Sequence, residues 1–166
     1  SEDDVCTFAD VPQGGPATFF PDNYIAVCAA NNITTGKTST TFDPYSEITR
    51  YQVITMVVRA ADSLHPGLLA APPENWSATG IWARNATHGA NATRAEFNGL
   101  LAGLDLLALD PNGNMTRGEV AQVLHDLLDL FTAATTTTES ITTTTEQPTT
   151  STSTTSSTTT TTGCVP

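Results

Sequence analysis

Thr49-Arg50-Tyr51-Gln52, Thr93-Arg94-Ala95-Glu96 and Thr116-Arg117-Gly118-Glu119 are three copies of one pattern, T-R-x-[EQ]. Each opens a stretch of apolar residues at helical spacing. The pattern is that of a capping box. The Thr hydroxyl accepts from the backbone N–H three residues on, and the Glu or Gln side chain reaches back to the Thr N–H. Helix starts are therefore expected at Thr49, Thr93 and Thr116, with Gln52, Glu96 and Glu119 closing the boxes. The box leaves the Arg unexplained. A cation in the first turn faces the positive end of the helix dipole, at a cost of about 0.3–1 kcal/mol. Yet three of the five Arg in the chain stand there. Two explanations are open. One is an anionic ligand, held by exposed N–H groups and a guanidinium fork. The other is internal pairing with a loop acid such as Asp43 or Asp110.

Apolar periodicity extends the helical reading in both directions. A short helix is expected around Tyr24-Ile25-Ala26-Val27-Cys28-Ala29, closed by Asn31-Asn32. A second runs from about Arg50 to Leu64, with Tyr51, Ile54, Val57, Val58, Ala61 and Leu64 on one face, and stops at Pro66-Gly67. Residues 65–92, with Pro72-Pro73, Trp76 and Trp82, read as a long ordered loop. A third helix is expected from Arg94 to Leu107, carrying Phe97, Leu100, Leu101 and Leu104. Gly99 and Gly103 within it suggest close backbone approach to a neighbouring helix. After a turn at residues 110–114, a fourth helix from Arg117 to Phe131 carries Val120, Val123, Leu124, Leu127, Leu128 and Phe131. The reading is all-α with irregular loops over residues 1–131.

Beyond Phe131 the composition changes. Residues 132–162 hold 19 Thr and 5 Ser in 31 positions. Such a segment has almost nothing to bury, so residues 132–166 are read as an extended tail. Fully extended, its Thr-rich part would reach about 100 Å, at about 3.3 Å per residue.

Charge excludes a nucleic-acid binder. The chain has 6 Lys and Arg against 17 Asp and Glu, a net charge of −11, and backbone phosphates require a cationic surface. No apolar run approaches the roughly 20 residues of a membrane span, so no membrane insertion is expected. The start at Ser1, without Met or an apolar leader, fits a secreted protein whose signal peptide has been removed. Five N-x-[ST] sequons, at Asn32, Asn75, Asn85, Asn91 and Asn114, favour an exported and glycosylated chain.

Three cysteines, Cys6, Cys28 and Cys164, are too few and too scattered for a zinc site. A Cys6–Cys28 bond would close a loop of about 22 residues, worth about 3 kcal/mol in the chain-entropy model. Cys164 then pairs with another chain. Alternatively, Cys164 bonds Cys6 or Cys28 of a neighbouring subunit, a contact that could propagate into a filament. Asp110, Asn112 and Asn114 have the odd spacing of a calcium loop, but Met115 and Ala121 stand where Gly and Glu are required. No catalytic motif is present, the three His are scattered, and His125 reads as a surface residue. Glu119, Asp126 and Asp129 read as a solvated face. No enzyme, metal or cofactor is expected.

Phe8-Ala9-Asp10-Val11-Pro12, then Tyr24-Ile25, Ile33-Thr34-Thr35-Gly36, Phe42-Asp43-Pro44 and Ile48-Thr49-Arg50 together resemble the S-layer homology motif. Its elements appear in the same order over residues 8–59. The later repeats are degenerate: the boxes are 44 and then 23 residues apart. The resemblance implies a three-pronged spindle around a three-helix bundle, with grooves that bind anionic, often pyruvylated, cell-wall polysaccharide. It implies that Arg50, Arg94 and Arg117 line grooves, with Asp10 beside one and Trp76 as a sugar-stacking aromatic. Two non-enzymatic roles at the cell surface or wall follow. One is a subunit that self-assembles with copies of itself into a surface layer or filament, its tail ordered along neighbouring subunits. The other is a wall-anchoring module with the tail as a glycosylated stalk.

Overall fold

A computed structural model describes residues 5–14 and 20–142, the side chains of the latter as far as residue 135. Among the described residues the elements are four helices and no strand: α1 Asp22–Ala30, α2 Arg50–Leu64, α3 Gly89–Phe97 and α4 Arg117–Thr142. The protein is helical, with long irregular connections.

The organising element is α2. Its Tyr51, Val53, Ile54, Thr55, Val57, Val58 and Ala61 are all buried, so it is covered on more than one side, as a central helix must be. Its start is fixed by the capping box of Thr49 and Gln52, with both reciprocal bonds present. α3 and α4 pack against it. α3 presents the small Ala92 and Ala95 to the core, and α4 presents Val123 and Leu127. Trp82, from the long loop, is fully buried, and its indole N–H donates to the Leu106 carbonyl at 2.7 Å. Tyr51 meets Trp82 edge to face, with ring centroids 5.8 Å apart.

The third helix differs from the sequence reading. α3 begins at Gly89 and ends at Phe97, so Thr93 lies in mid-helix and caps nothing. Asn85 starts the turn instead: its side-chain oxygen accepts from the Thr87 and His88 N–H groups, each at 2.9 Å. Glu96 turns away to accept from the Thr79 backbone and hydroxyl. The helix stops in a Schellman motif, with Gly99 N–H bonded to Glu96 O and Leu100 N–H to Ala95 O. Gly99, at φ +81°, supplies the left-handed residue this requires and has no side-chain neighbour. Gly103 does lie against another helix, close to Gln122 of α4. Leu100 and Leu101 are buried from a run of turns rather than a helix.

The fourth helix also differs. α4 runs eleven residues past Phe131, to Thr142, where an extended tail was expected. Thr132 and Thr135 donate their hydroxyls to the carbonyls of Leu128 and Phe131 one turn back. That satisfies the hydroxyls inside a helix. Residues 143–166, including Cys164, lie outside the described residues. Leu124 and Leu128 do not join the core: they are 44% and 62% exposed. Cys6 and Cys28 are both free thiols with no bond between them, against the expected loop closure; burial pushes the Cys28 thiol up.

Candidate functional site

Two clamps hold the segment from Phe8 to Asp43 together. Asp10 accepts from the N–H groups of Phe42 and Asp43, at 2.8 and 2.7 Å. The Phe42 bond in particular holds its carboxyl below the usual range. Phe8 is buried against Phe42, with ring centroids 5.4 Å apart. Gly36 has φ +70°, and a Cβ there would fall 2.5 Å from Phe8 and 2.7 Å from the Thr41 carbonyl. F-x-D, I-x-x-G and F-x-P are thus parts of one lock. It ties residues 36–43 to residues 8–10.

Between that lock and α2 lies a groove of about 400 Å³. Its walls are Ile33–Lys37, Phe42–Pro44 and Ser46–Ile48 on one side, Gln52, Thr55, Met56 and Arg59 of α2 on the other, with Thr87 and His88 just before α3. Lys37 pairs with Asp43, which also accepts from Ser46. The Lys37 bond, ahead of that from Ser46, lowers the Asp43 pKa. His88 Nδ1 lies 2.8 Å from Thr55 Oγ1, and its ring stacks on Tyr51 at 5.8 Å. Burial, and then the charge of Arg59, push the imidazole below its ordinary value.

The motif arginines lie elsewhere. Arg50 is buried, and its Nε and NH2 donate to Glu119 Oε1 at 3.0 and 2.8 Å, while NH1 donates to the Asp110 carbonyl. The α2 N–H groups that an anion would need are also taken: Arg50 N–H donates to Gly113 O and Tyr51 N–H to Pro111 O. Arg94 forms a bidentate pair with Asp62, at 2.8 and 2.7 Å, and also donates to Leu69 O. It sits in the last turn of α3, where a cation suits the dipole. Internal pairing therefore accounts for both, with Glu119 and Asp62 as the acids rather than the side chains of Asp43 or Asp110. Arg117 is exposed and outside the groove.

Two other residues expected at a groove are also displaced. Asp10 supports the groove from behind and does not line it. Trp76 packs edge-on against Phe97, with centroids 5.4 Å apart, away from the groove. Glu119 is not on a solvated face: it holds Arg50 and also closes the α4 box, accepting from Thr116 N–H at 2.7 Å. Among the sequons, Asn32 and Asn75 are exposed. Asn85 is the cap of the turn before α3, Asn91 lies within α3, and the Asn114 amide donates to Glu47.

Arg59, His88, Thr55 and Lys37 were not singled out in the sequence. Arg59 carried one signal, as a lone cation inside the apolar run Val57-Val58-Arg59-Ala60-Ala61. Nothing in the pattern pointed to His88, because the start of α3 was read five residues late. Among the described residues no group of three His, Cys, Asp or Glu is placed to hold a metal ion.

Residues 7–54 match the model of the S-layer homology domain, and this segment is an S-layer homology domain. The match covers the lock and the start of α2; the boxes at 93 and 116 lie beyond it. That domain is non-catalytic and associates its protein with the cell surface or wall. Neither the curated proteins nor the solved structures gave a match. No helix among the described residues is long and apolar enough to cross a membrane.

Proposed function

We propose that the chain is a cell-wall anchoring module whose groove between residues 33–48 and α2 takes an anionic wall polysaccharide. The Thr-rich segment acts as a glycosylated stalk. One observation carries this reading: the segment that matches the domain family forms one wall of a groove of about 400 Å³, which Lys37 of that segment lines together with Arg59 and His88 from beyond it. The hydroxyls of Thr34 and Thr35 add polar groups of the kind a sugar needs. The test is co-sedimentation with cell-wall sacculi bearing pyruvylated polysaccharide, before and after acid extraction of that polymer. Binding that disappears on extraction is expected. Equal binding to extracted sacculi would overturn the reading.

A second reading, self-assembly into a surface layer or filament, has one observation in its favour. Leu124 and Leu128 stand one turn apart and exposed on α4, an apolar pair of the kind a neighbouring chain covers. Sedimentation velocity distinguishes it: concentration-dependent growth abolished by Leu124→Ser with Leu128→Ser supports assembly. A single monomer boundary at all concentrations removes it.

A further inference from the structure

With Arg50 and Arg94 committed to internal acids, the groove's charge must come from residues outside the motif. Arg59 is half-buried and lines the groove. Among the described residues it makes no hydrogen bond or ion pair. Its natural partner three residues on, Asp62, gives both carboxylate oxygens to Arg94. A half-buried guanidinium without a counter-charge is unfavourable, and its planar fork fits a carboxylate.

His88 shares the groove lining and feels that charge. The other charged or titratable groups around it are accounted for. From residues 33–48, Lys37 and Asp43 hold each other, and Glu47 accepts from the Asn114 amide. From α2, the Tyr51 hydroxyl lies 3.0 Å from the carbonyls of both Ile81 and Trp82, turned to the core. No acid of the protein forms an ion pair with either Arg59 or His88 among the described residues.

We propose that Arg59 and His88 form the anion seat of this groove, that its occupant is a carboxylate carried on a sugar, and that binding takes up a proton at His88 and so tightens as pH falls. The proposal rests on the polysaccharide reading and names the residues and the regulation of that site. A carboxylate beside both groups offsets the repulsion from Arg59 which, after burial, disfavours the charged imidazole. By linkage, whatever the anion does for the proton, the proton does for the anion. The imidazole need not move. The Thr55 hydroxyl 2.8 Å away can donate to the neutral ring or accept from the charged one.

The experiment is calorimetric titration of the full chain with a methyl glucoside carrying a 4,6-pyruvate ketal, at pH 5.5 and pH 7.5. The ketal's methyl ester is the uncharged control. Binding should be about tenfold tighter at the lower pH, equivalent to one pKa unit gained by His88 on binding. The ester should not bind, His88→Gln should bind with no pH dependence, and Arg59→Gln should lose binding at both values. The imidazole titration of the wild-type chain, followed by NMR, should shift upward on saturation, a readout that depends on no variant. Binding that is equal at the two pH values, that persists in Arg59→Gln, or that leaves the His88 titration unmoved overturns this proposal and leaves the polysaccharide reading standing. No binding of the pyruvylated sugar by the wild type at either pH overturns both.

Discussion

Arg50 and Glu119 are 69 residues apart and join the first capping box to the last. Glu119 Oε2 accepts from Thr116 N–H, closing the start of α4, while its Oε1 accepts from Arg50 at the start of α2. One carboxylate thus caps one helix and fixes the entry of another. The side chains are only 11% and 14% exposed, so the pair sits in a medium that screens it little. Around it the antiparallel bridge between Thr49 and Asn114 brings the two helix starts side by side. The Arg in this box is a structural tie between repeats.

Arg50→Ala should therefore destabilise the protein by about 3 kcal/mol, because it leaves Glu119 largely buried without its partner. Urea unfolding measures the loss. A change below about 0.5 kcal/mol, the size typical of an exposed pair, would show that the pair contributes as a surface bridge does.

The same carboxylate predicts acid sensitivity. Burial raises the Glu119 pKa, but the bonds from Thr116 and Arg50 outweigh it, so the folded value lies below 4.5. The unfolded chain then binds the proton more readily. Stability from this group is complete above about pH 4.5 and is lost as pH falls through the folded value. Asp10 and Asp43, also lowered, add to the loss in the same direction. His88 acts earlier: its folded value is below 6.5, so its contribution begins to fall as pH drops through 6.5. Denaturant midpoints from pH 8 to pH 3 should decline first gently and then steeply. His88→Gln should flatten the first part, and Glu119→Gln should reduce the second. A midpoint constant down to pH 3 contradicts the assignment.

α2 was legible to the residue because its signals are local. Thr49 and Gln52 close a box four residues long, and Pro66-Gly67 follows the last turn. α3 was not legible, because Thr93-Arg94-Ala95-Glu96 has the letters of a cap and the place of a helix middle. What decides it is the Asn85 bond upstream and the left-handed Gly99 downstream, and Gly99 reads equally well as a packing glycine. The lock of Phe8, Asp10, Gly36 and Phe42 was visible as a motif. The pairs of Arg50 and Arg94 span 69 and 32 residues, beyond the reach of any local pattern. The groove residues Arg59 and His88 come from two places in the chain whose meeting depends on how α3 starts.

Gly36 and Gly99 separate two causes of glycine preference. Both have positive φ, so an Ala at either incurs a backbone cost of about 1 kcal/mol. At Gly36 the new methyl would also strike Phe8 and the Thr41 carbonyl, whereas at Gly99 it meets open space. Overpacking adds about 1–3 kcal/mol. Gly36→Ala should lower the thermal midpoint clearly more than Gly99→Ala. On the polysaccharide reading it should also weaken sugar binding, because Gly36 itself lines the groove. Equal losses at the two sites would mean that residues 33–48 yield freely.

The three Thr of the repeated pattern should respond differently to the same substitution. Thr49 accepts from Gln52 N–H at 3.3 Å and Thr116 from Glu119 N–H at 3.2 Å. Removing either hydroxyl leaves a helix-start donor unsatisfied, for a loss of about 0.5–2 kcal/mol. Thr93 stands inside α3 and caps nothing. There Ala is the better helix former, by up to about 0.7 kcal/mol, and no cap is lost. Thr49→Ala and Thr116→Ala should each reduce unfolding free energy, while Thr93→Ala should leave it unchanged or slightly raised. Three single variants measured by urea denaturation decide the matter. A Thr93→Ala loss matching the other two would place a helix start at residue 93 after all, and with it a true second box in place of the turn that Asn85 begins.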